Sequence, residues 1–538
     1  MSDLVTDSIK VRNSKARDAA LTAANAVTLE STDLVAFESN GRVVVIGNVE
    51  ALEFAPRLTD PLKSQVLLTE GEELPGVPVI SLGGRTLKIS GHLGAFTLQL
   101  GEPGKPNAET LSADLILDLS PQPHLSMPMK PPGYLVAGTD EVSLAEAAEQ
   151  LSELVGVFDK PRYFNYDASL CAHKRSDYTA CTRCIDACPA EAISSLLEKV
   201  TVDSNRCQGG GVCATVCPSG AIRYSYPKAK DTLEQVRLML KGYAEAGGVD
   251  PVVVFTTHDA QPTLEANHLP VEVEELASVG LEVWLSTLAY GASAVWLLAE
   301  EGVPTQVLDA LQQQLLTTQE LLAAMGYPAS AIRLVNQQAV LAESAAPMPP
   351  IKHATFSGLG GKRAIAYMAI DHLFDQAARS RPMASLTVGA PFGTAQVDAS
   401  ACTLCLSCVG ACPGKALLAG QDVPQLRFVE ANCLQCGMCT RTCPEDAIWI
   451  TPRLLFDREK RSQIRLLHEE PPFCCTECGK PFATRSVIEA MLKKLEGHWM
   501  FKDGRSKNRL TMCQDCRVVD IAQDPEAMSQ GMMGETLQ

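Results

Sequence analysis

The sequence predicts a multidomain chain of mixed α/β and α+β class, and three observations carry that expectation. At 538 residues the chain has room for three or four domains at roughly 150 residues each. Its 20 cysteines fall in three packets, seven at 171–217, eight at 402–443 and five at 474–516, with none before Cys171 or between Cys217 and Cys402. The cysteine-free stretches alternate short apolar runs with helical periodicity, the pattern of parallel α/β layers.

Composition narrows the class of partner. The chain is 46% hydrophobic and 20% charged, too apolar for disorder. Lys+Arg (46) against Asp+Glu (63) leaves a net charge of −17, which argues against nucleic acid or an anionic membrane surface as partner. No apolar run reaches the roughly 18 residues a membrane helix needs, so no membrane insertion is expected. The start, Met1-Ser2-Asp3-Leu4, lacks the apolar core of a secretory signal. A cytoplasmic location is therefore expected, where thiols stay reduced and free for metals.

In chain order, residues 1–30 are Ala-rich and polar and read as a mobile or helical leader. Residues 31–160 read as an α/β domain of unknown role, with apolar strand candidates at Val43–Ile46, Val66–Leu68 and Asp114–Leu119. Gly47 is not followed by GxGxxG, so a dinucleotide site is not supported. Gly83-Gly84 and Gly91-His92-Leu93-Gly94 read as turns, and Pro121–Pro132 as a proline-rich linker.

The two large packets are best read against each other. Residues 391–455 contain Cys402-x2-Cys405-x2-Cys408-x3-Cys412-Pro413 and then Cys433-x2-Cys436-x2-Cys439-x3-Cys443-Pro444. Three thiols at x2 intervals wrap one cubane, and the fourth, at the head of the following helix, points to the other. Cys402, Cys405, Cys408 and Cys443 are expected to hold one 4Fe-4S cluster, and Cys433, Cys436, Cys439 and Cys412 a second. Zinc knuckles would show cysteine pairs instead. The proline after each fourth cysteine suits a first helical turn.

Residues 161–230 repeat the pattern in degenerate form. Asp167-Ala168-Ser169-Leu170-Cys171 parallels Asp398-Ala399-Ser400-Ala401-Cys402, and Cys181-x2-Cys184-x3-Cys188-Pro189 parallels Cys405 to Pro413. Seven extra residues separate the first two cysteines, so Cys171 is read as a ligand on a longer loop or else as a free thiol. His173, inside the insertion, is read as a hydrogen-bonding or surface residue before a substitute ligand. Cys207 parallels Cys433 and Cys213-x3-Cys217-Pro218 parallels Cys439 to Pro444, but Gly210 stands where Cys436 would. Cys171, Cys181, Cys184 and Cys217 thus keep four thiols, whereas Cys188, Cys207 and Cys213 leave one corner open. That site is either 3Fe-4S or 4Fe-4S with water or a partner's side chain on the last iron. The open corner is read first as raising the potential of a relay cluster, and second as a substrate site.

Residues 231–350 read as a parallel α/β domain with strands at Pro251–Thr257, Ala292–Leu298 and Ala331–Val335 and a helix over Val303–Met325 ended by Gly326-Tyr327-Pro328. Residues 351–390 read as a helical linker. Its Gly358-Leu359-Gly360-Gly361-Lys362-Arg363 stretch misses the phosphate-loop spacing and precedes a helix at Ala364–Ala378. Residues 456–538 carry Cys475-x2-Cys478 and Cys513-x2-Cys516, a zinc-ribbon-like set of four thiolates that favours structural zinc over a single redox iron. Cys474 is spare or shares that site. A helix is expected at Arg485–Leu495, and the basic run Phe501–Arg509 reads first as a solvated hairpin and second as a nucleic-acid contact.

The x2-x2-x3-Pro runs resemble bacterial dicluster ferredoxins, and the whole chain resembles multi-cluster electron-transfer proteins of the polyferredoxin and heterodisulfide-reductase-like type. The segment Leu285-Ser286-Thr287-Leu288-Ala289-Tyr290-Gly291-Ala292, its following helix and Ala331-Ile332-Arg333-Leu334-Val335 are similar to the delta subunit of methyl-viologen-reducing hydrogenases. That family's domain binds an iron–sulfur centre through cysteines, and this segment has none, so the fold and a docking role are what the resemblance implies. The resemblance implies an electron relay between a dehydrogenase of formate dehydrogenase or hydrogenase type and a redox carrier. An enzyme acting at the open corner and an iron–sulfur maturation or scaffold protein are the alternatives.

Overall fold

Strand Arg42–Gly47 shows how the first domain is layered. Val43 and Val45 face a core that includes Ala51, Leu52, Leu144 and Leu151, while Val44 and Ile46 face a second core with Phe96, Leu98 and Leu100. A strand buried on both faces reads as a continuous apolar run, which is why it was visible in the sequence. The computed structural model that shows this describes residues 2–525 apart from 73–75, 176, 259, 261, 338–346, 422, 499–500 and 502–503, with side chains from Ser8 onward. Part of the basic run at 501–509 and the end of the tail module, 526–538, thus lie outside the described residues.

The chain divides into two compact units, Met1–Cys171 with Thr182–Arg381, and Ala172–Cys181 with Pro382–Gln538. In the first unit, five parallel strands run in the order Val79–Ser81, Lys63–Leu68, Arg42–Gly47, Leu115–Asp118, Tyr134–Val136. Helices Val49–Phe54 and Glu141–Glu153 pack on one face, and a three-stranded antiparallel sheet (Leu87–Ser90, Phe96–Leu100, Glu109–Ala113) on the other. The proline-rich stretch 121–132 lies within this domain, between two strands that are neighbours in its sheet. Buried Asp118 anchors it, accepting hydrogen bonds from Ser120 N at 3.0 Å, His124 N at 2.8 Å and the Tyr134 hydroxyl.

The leader is a helix, Ser2–Asn25, packed along helix Ala229–Glu245. Its buried stripe is Ala16, Ala20 and Ala24, and a Cβ on Gly242 would stand 3.2 Å from Ala23 Cβ. Small residues on both helices permit that close approach. Asn13 locks it by exchanging hydrogen bonds with the backbone of Val249, at 3.2 and 3.0 Å.

A second parallel sheet follows, in the order His268–Val273, Val252–Thr257, Ala294–Leu298, Ile332–Val335. Helix Thr305–Met325 ends at Gly326 in the left-handed region (φ +86°), the C-cap that glycine favours. The 351–390 stretch contributes helix Lys362–Gln376, which packs along the wholly buried helix Leu281–Ala289 through residues such as Ile365, Ala369 and Leu373.

In the second unit, strand Ile448–Leu455 pairs antiparallel with Gly393–Val397 and Met383–Ser385. Leu417–Ala419, Gln425–Phe428 and Arg465–Glu469 form another small sheet. The insertion after Cys171 is a hairpin, Lys174–Arg175 with Tyr178–Thr179, and Arg175 donates to Gly410 O at 3.2 Å. The tail adds a hairpin, Pro472–Cys474 with Pro481–Thr484, and helices Arg485–Lys494, Gly504–Arg509 and Gln514–Ala522. In the basic run, Gly504–Arg509 is a helix, not the expected hairpin, and Arg505 and Arg509 pair with Asp520 at 2.9 and 2.6 Å, so their charge is met within the tail. Among the described residues no helix is long and apolar enough to cross a membrane.

Candidate metal centres

The cysteine loops share a backbone signature. In the run from Cys402, Leu404 and Leu406 are left-handed (φ +54° and +58°), and in the run from Cys433 so are Gln435 and Gly437 (φ +52° and +77°). Left-handed residues at alternate positions coil the loop so that its thiols converge. For non-glycine residues this conformation costs about 1 kcal/mol or more each, and such strain gathers at functional sites. The chain turns again three residues after each closing cysteine, at Lys415 and Asp446 (φ +51° and +50°). Those turns aim Ala416 N at Cys412 Sγ and Ala447 N at Cys443 Sγ, each at 3.3 Å.

Two cavities result. One, open to solvent, is lined by Cys402, Cys405, Cys408 and Cys443 among apolar residues such as Val397 and Ile448. The other is lined by Cys412, Cys433, Cys436 and Cys439 with Phe428 and Ile450. In each, three thiols of one run meet the fourth of the other. Four convergent soft donors in an apolar pocket fit an iron–sulfur cubane. Burial pushes the Cys408 thiol up to about 12 and the Cys436 thiol up to about 11, and Cys439 further still. Binding as thiolates therefore needs the positive charge of the irons and releases protons. Gln435, which the spacing did not single out, donates from Nε2 to Cys433 Sγ at 3.3 Å and to Thr394 O at 3.2 Å.

The first packet carries the same signature. Gly209 and Gly211 are left-handed (φ +85° and +69°) at the positions of Gln435 and Gly437, and Glu191 and Gly220 (φ +47° and +71°) at those of Lys415 and Asp446. Cys171, Cys184, Cys188, Cys207, Cys213 and Cys217 pack into one core with Phe164, Ile193 and Tyr224. Burial raises the Cys213 thiol well above its usual range, and Cys207, Cys188 and Cys184 add to the rise. Gly210, between the two left-handed glycines, brings no donor atom. Burial pushes the hydroxyl of Tyr166, also outside the cysteine pattern, well up, and Cys171 adds to the rise. Cys181 ends the hairpin segment and is not in that packed core. Buried His173 engages the backbone of the same hairpin, with Nδ1 2.9 Å from Cys181 O.

In the tail, one ligand atom from each of Cys475, Cys478, Cys513 and Cys516 lies within 4.8 Å of the others, a donor set that fits one tetrahedral ion. Burial pushes the Cys475 thiol up, but backbone N–H groups of Cys478, Cys513 and Glu477 outweigh it and hold it near 6. Hydrogen bonds with Cys478 and Cys513 push Cys516 the other way. Cys474 is exposed and outside this group. Thr484 joins the tail to the second packet by donating to Thr403 O at 2.9 Å.

Residues 401–448, which include all eight cysteines of the second packet, match a 4Fe-4S dicluster domain family. Residues 179–221 match another 4Fe-4S dicluster domain family, a span that leaves out Cys171. No curated protein matches the chain. Two ferredoxin-type 4Fe-4S dicluster domains support iron–sulfur electron transfer by this chain.

Proposed function

We propose that the chain relays electrons through four clusters between a dehydrogenase of formate dehydrogenase or hydrogenase type and a redox carrier. Cys402, Cys405, Cys408 with Cys443, and Cys433, Cys436, Cys439 with Cys412, would hold two 4Fe-4S clusters. Cys171, Cys181, Cys184 and Cys217 would hold a third, and Cys188, Cys207 and Cys213 a fourth with an open corner. The clusters supply one-electron capacity when bound. The chain's residues orient the sulfurs and donate N–H bonds to them. The tail thiols would hold a structural zinc, and the central α/β domain would serve docking.

The observation that carries this reading is the pair of cavities, each lined by three thiols of one run and one of the other. Isolation from native extract under anaerobic conditions tests it. The expected outcome is an associated oxidoreductase whose substrate reduces the clusters of this chain. Turnover of a small molecule by the chain alone would favour the enzyme reading. Transfer of its clusters to an apo-acceptor would favour a scaffold.

A further inference from the structure

Two lysines from outside the first packet place their ammonium groups on the carbonyls of its ligand segments. Lys160, on strand Gly156–Pro161, donates to Asn205 O and Cys207 O, both at 2.7 Å, and lies over the Phe37 ring. Lys362 opens helix Lys362–Gln376, in the glycine-rich stretch that misses the phosphate-loop pattern. It donates to Ala214 O at 2.7 Å and Thr215 O at 2.5 Å. Those carbonyls belong to helix Val212–Val216, which carries Cys213 and leads directly into Cys217.

Lys362 is held in a dry setting. Its side chain is 11% exposed, and the Glu282 carboxylate beside it, 10% exposed, has Oε2 3.8 Å away and without a hydrogen-bond partner among the described residues. A Cβ on Gly220 would stand 3.0 Å from Lys362 Cβ, so the approach is close. Burying an ammonium is costly, and the carbonyls that compensate it here are those of the ligand helix. Away from water, a fixed cation acts strongly and at long range.

We infer that Lys160 and Lys362 set the reduction potentials of the clusters in the first packet. The inference rests on the reading above that Cys188, Cys207, Cys213 and Cys217 are ligands. Reduction adds one negative charge to a cluster, and a nearby fixed cation stabilises the reduced form and raises the potential. A unit charge about 10 Å away, at an effective dielectric of about 20, shifts that equilibrium by roughly tenfold.

The test is a redox titration of the anaerobically reconstituted full chain, followed by electron paramagnetic resonance. Cys207→Ser and Cys217→Ser assign the steps of the first packet. If neither alters any step, the ligand reading fails and the inference falls with it. With the steps assigned, Lys160→Met should lower the step altered by Cys207→Ser, and Lys362→Met the step altered by Cys217→Ser. Each reduced-to-oxidised ratio should fall about tenfold at fixed potential, ~59 mV for one electron. Lys160→Arg and Lys362→Arg, which keep the charge, should stay near the unmodified values. Should Lys362→Met fail to fold with Glu282 left unpaired, Lys362→Gln, which removes the same single charge but keeps an N–H donor beside Glu282, carries the same expected shift. Methionine variants at unmodified potentials, or arginine variants shifted as far as the methionine ones, overturn the inference and leave the lysines as loop staples.

Discussion

Pro189 Cγ stands 3.9 Å from the point a Cβ on Gly210 would occupy, an ordinary van der Waals distance. Gly209 and Gly211 are left-handed and Gly210 between them is not, so its backbone accepts a side chain without strain. Gly210→Cys should therefore fold and complete the thiol set of Cys188, Cys207 and Cys213. A fourth anionic thiolate stabilises the oxidised state and lowers the potential, by on the order of tenfold in the reduced-to-oxidised ratio. Electron paramagnetic resonance of the oxidised unmodified chain should show a 3Fe-4S signal or a four-iron cluster that responds to added ligands, and the variant should show neither. Two ordinary, ligand-insensitive clusters in the unmodified packet would overturn the open-corner argument.

Gln435 is the second point where one side chain decides a cluster's surroundings. Gln435→Met keeps the volume but removes the donor to Cys433 Sγ and Thr394 O. It should cost about 1 kcal/mol of stability and lower the potential of the cluster at Cys412, Cys433, Cys436 and Cys439. Gly393→Ala should reproduce the potential shift by another route, since its Cβ would stand 2.4 Å from both Gln435 Cδ and Thr451 O. Such overpacking costs typically ~1–3 kcal/mol. Denaturation and redox titration of both variants check this. Two unshifted potentials would show that the Gln435–Cys433 bond does not tune the cluster.

These residues show what a sequence displays and what it hides. The x2-x2-x3-Pro spacing is local, and local spacing is enough to find the cysteine loops, but not the left-handed turns at residues 404, 406, 435 and 437. The helices lie before the fourth cysteines, at Ser407–Ala411 and Met438–Arg441, not after them as the prolines suggest. Strands such as Arg42–Gly47 and Ala294–Leu298 were visible because burial on both faces makes them continuously apolar. Strand His268–Val273 was not read as one, because Pro270 and Glu272 interrupt its apolar run. The packing of helix Ser2–Asn25 rests on an alanine stripe, too weakly apolar to announce a core contact. Gln435, Lys160 and Lys362 could not be found from spacing, since each acts on a residue that only the fold brings near it.

Asp118 gives a pH-dependent prediction. Burial pushes its carboxyl up, but hydrogen bonds from His124 and Tyr134 outweigh that and hold it down to about 2, against an ordinary 3.8. A carboxyl depressed in the folded state contributes its full stabilisation above its unfolded value and loses it as pH falls. The window here runs from about pH 4 down to about pH 2, and the contribution is about 2 kcal/mol. Asp118→Asn should lose that amount at neutral pH and show no further loss across the window. Hydrogen exchange in strand Tyr134–Val136, run on both proteins from pH 2 to 7, reads the difference. Equal protection at neutral pH would show that the Asp118 network does not hold the 121–132 segment.

The tail site separates structure from electron transfer. Cys475, held near 6, is largely thiolate at neutral pH, whereas Cys516 is pushed up and must release a proton to bind. Metal affinity should therefore rise with pH, by at least roughly tenfold per unit between pH 6 and 8. Competition with a chelator across that range measures it, and a flat profile would mean that Cys516 is not a ligand. Cys475→Ser removes the thiolate that is ready to bind first and leaves the remaining thiols without a complete tetrahedral set. The expected result is loss of zinc and protease sensitivity in the tail from about residue 472, with cluster reduction in both packets nearly unchanged, because zinc carries no electrons. The Thr484–Thr403 hydrogen bond sets how far the damage spreads, since it ties the tail to the loop between Cys402 and Cys405. A variant that keeps a folded tail but loses electron delivery would instead make the site a redox iron and the tail part of the relay.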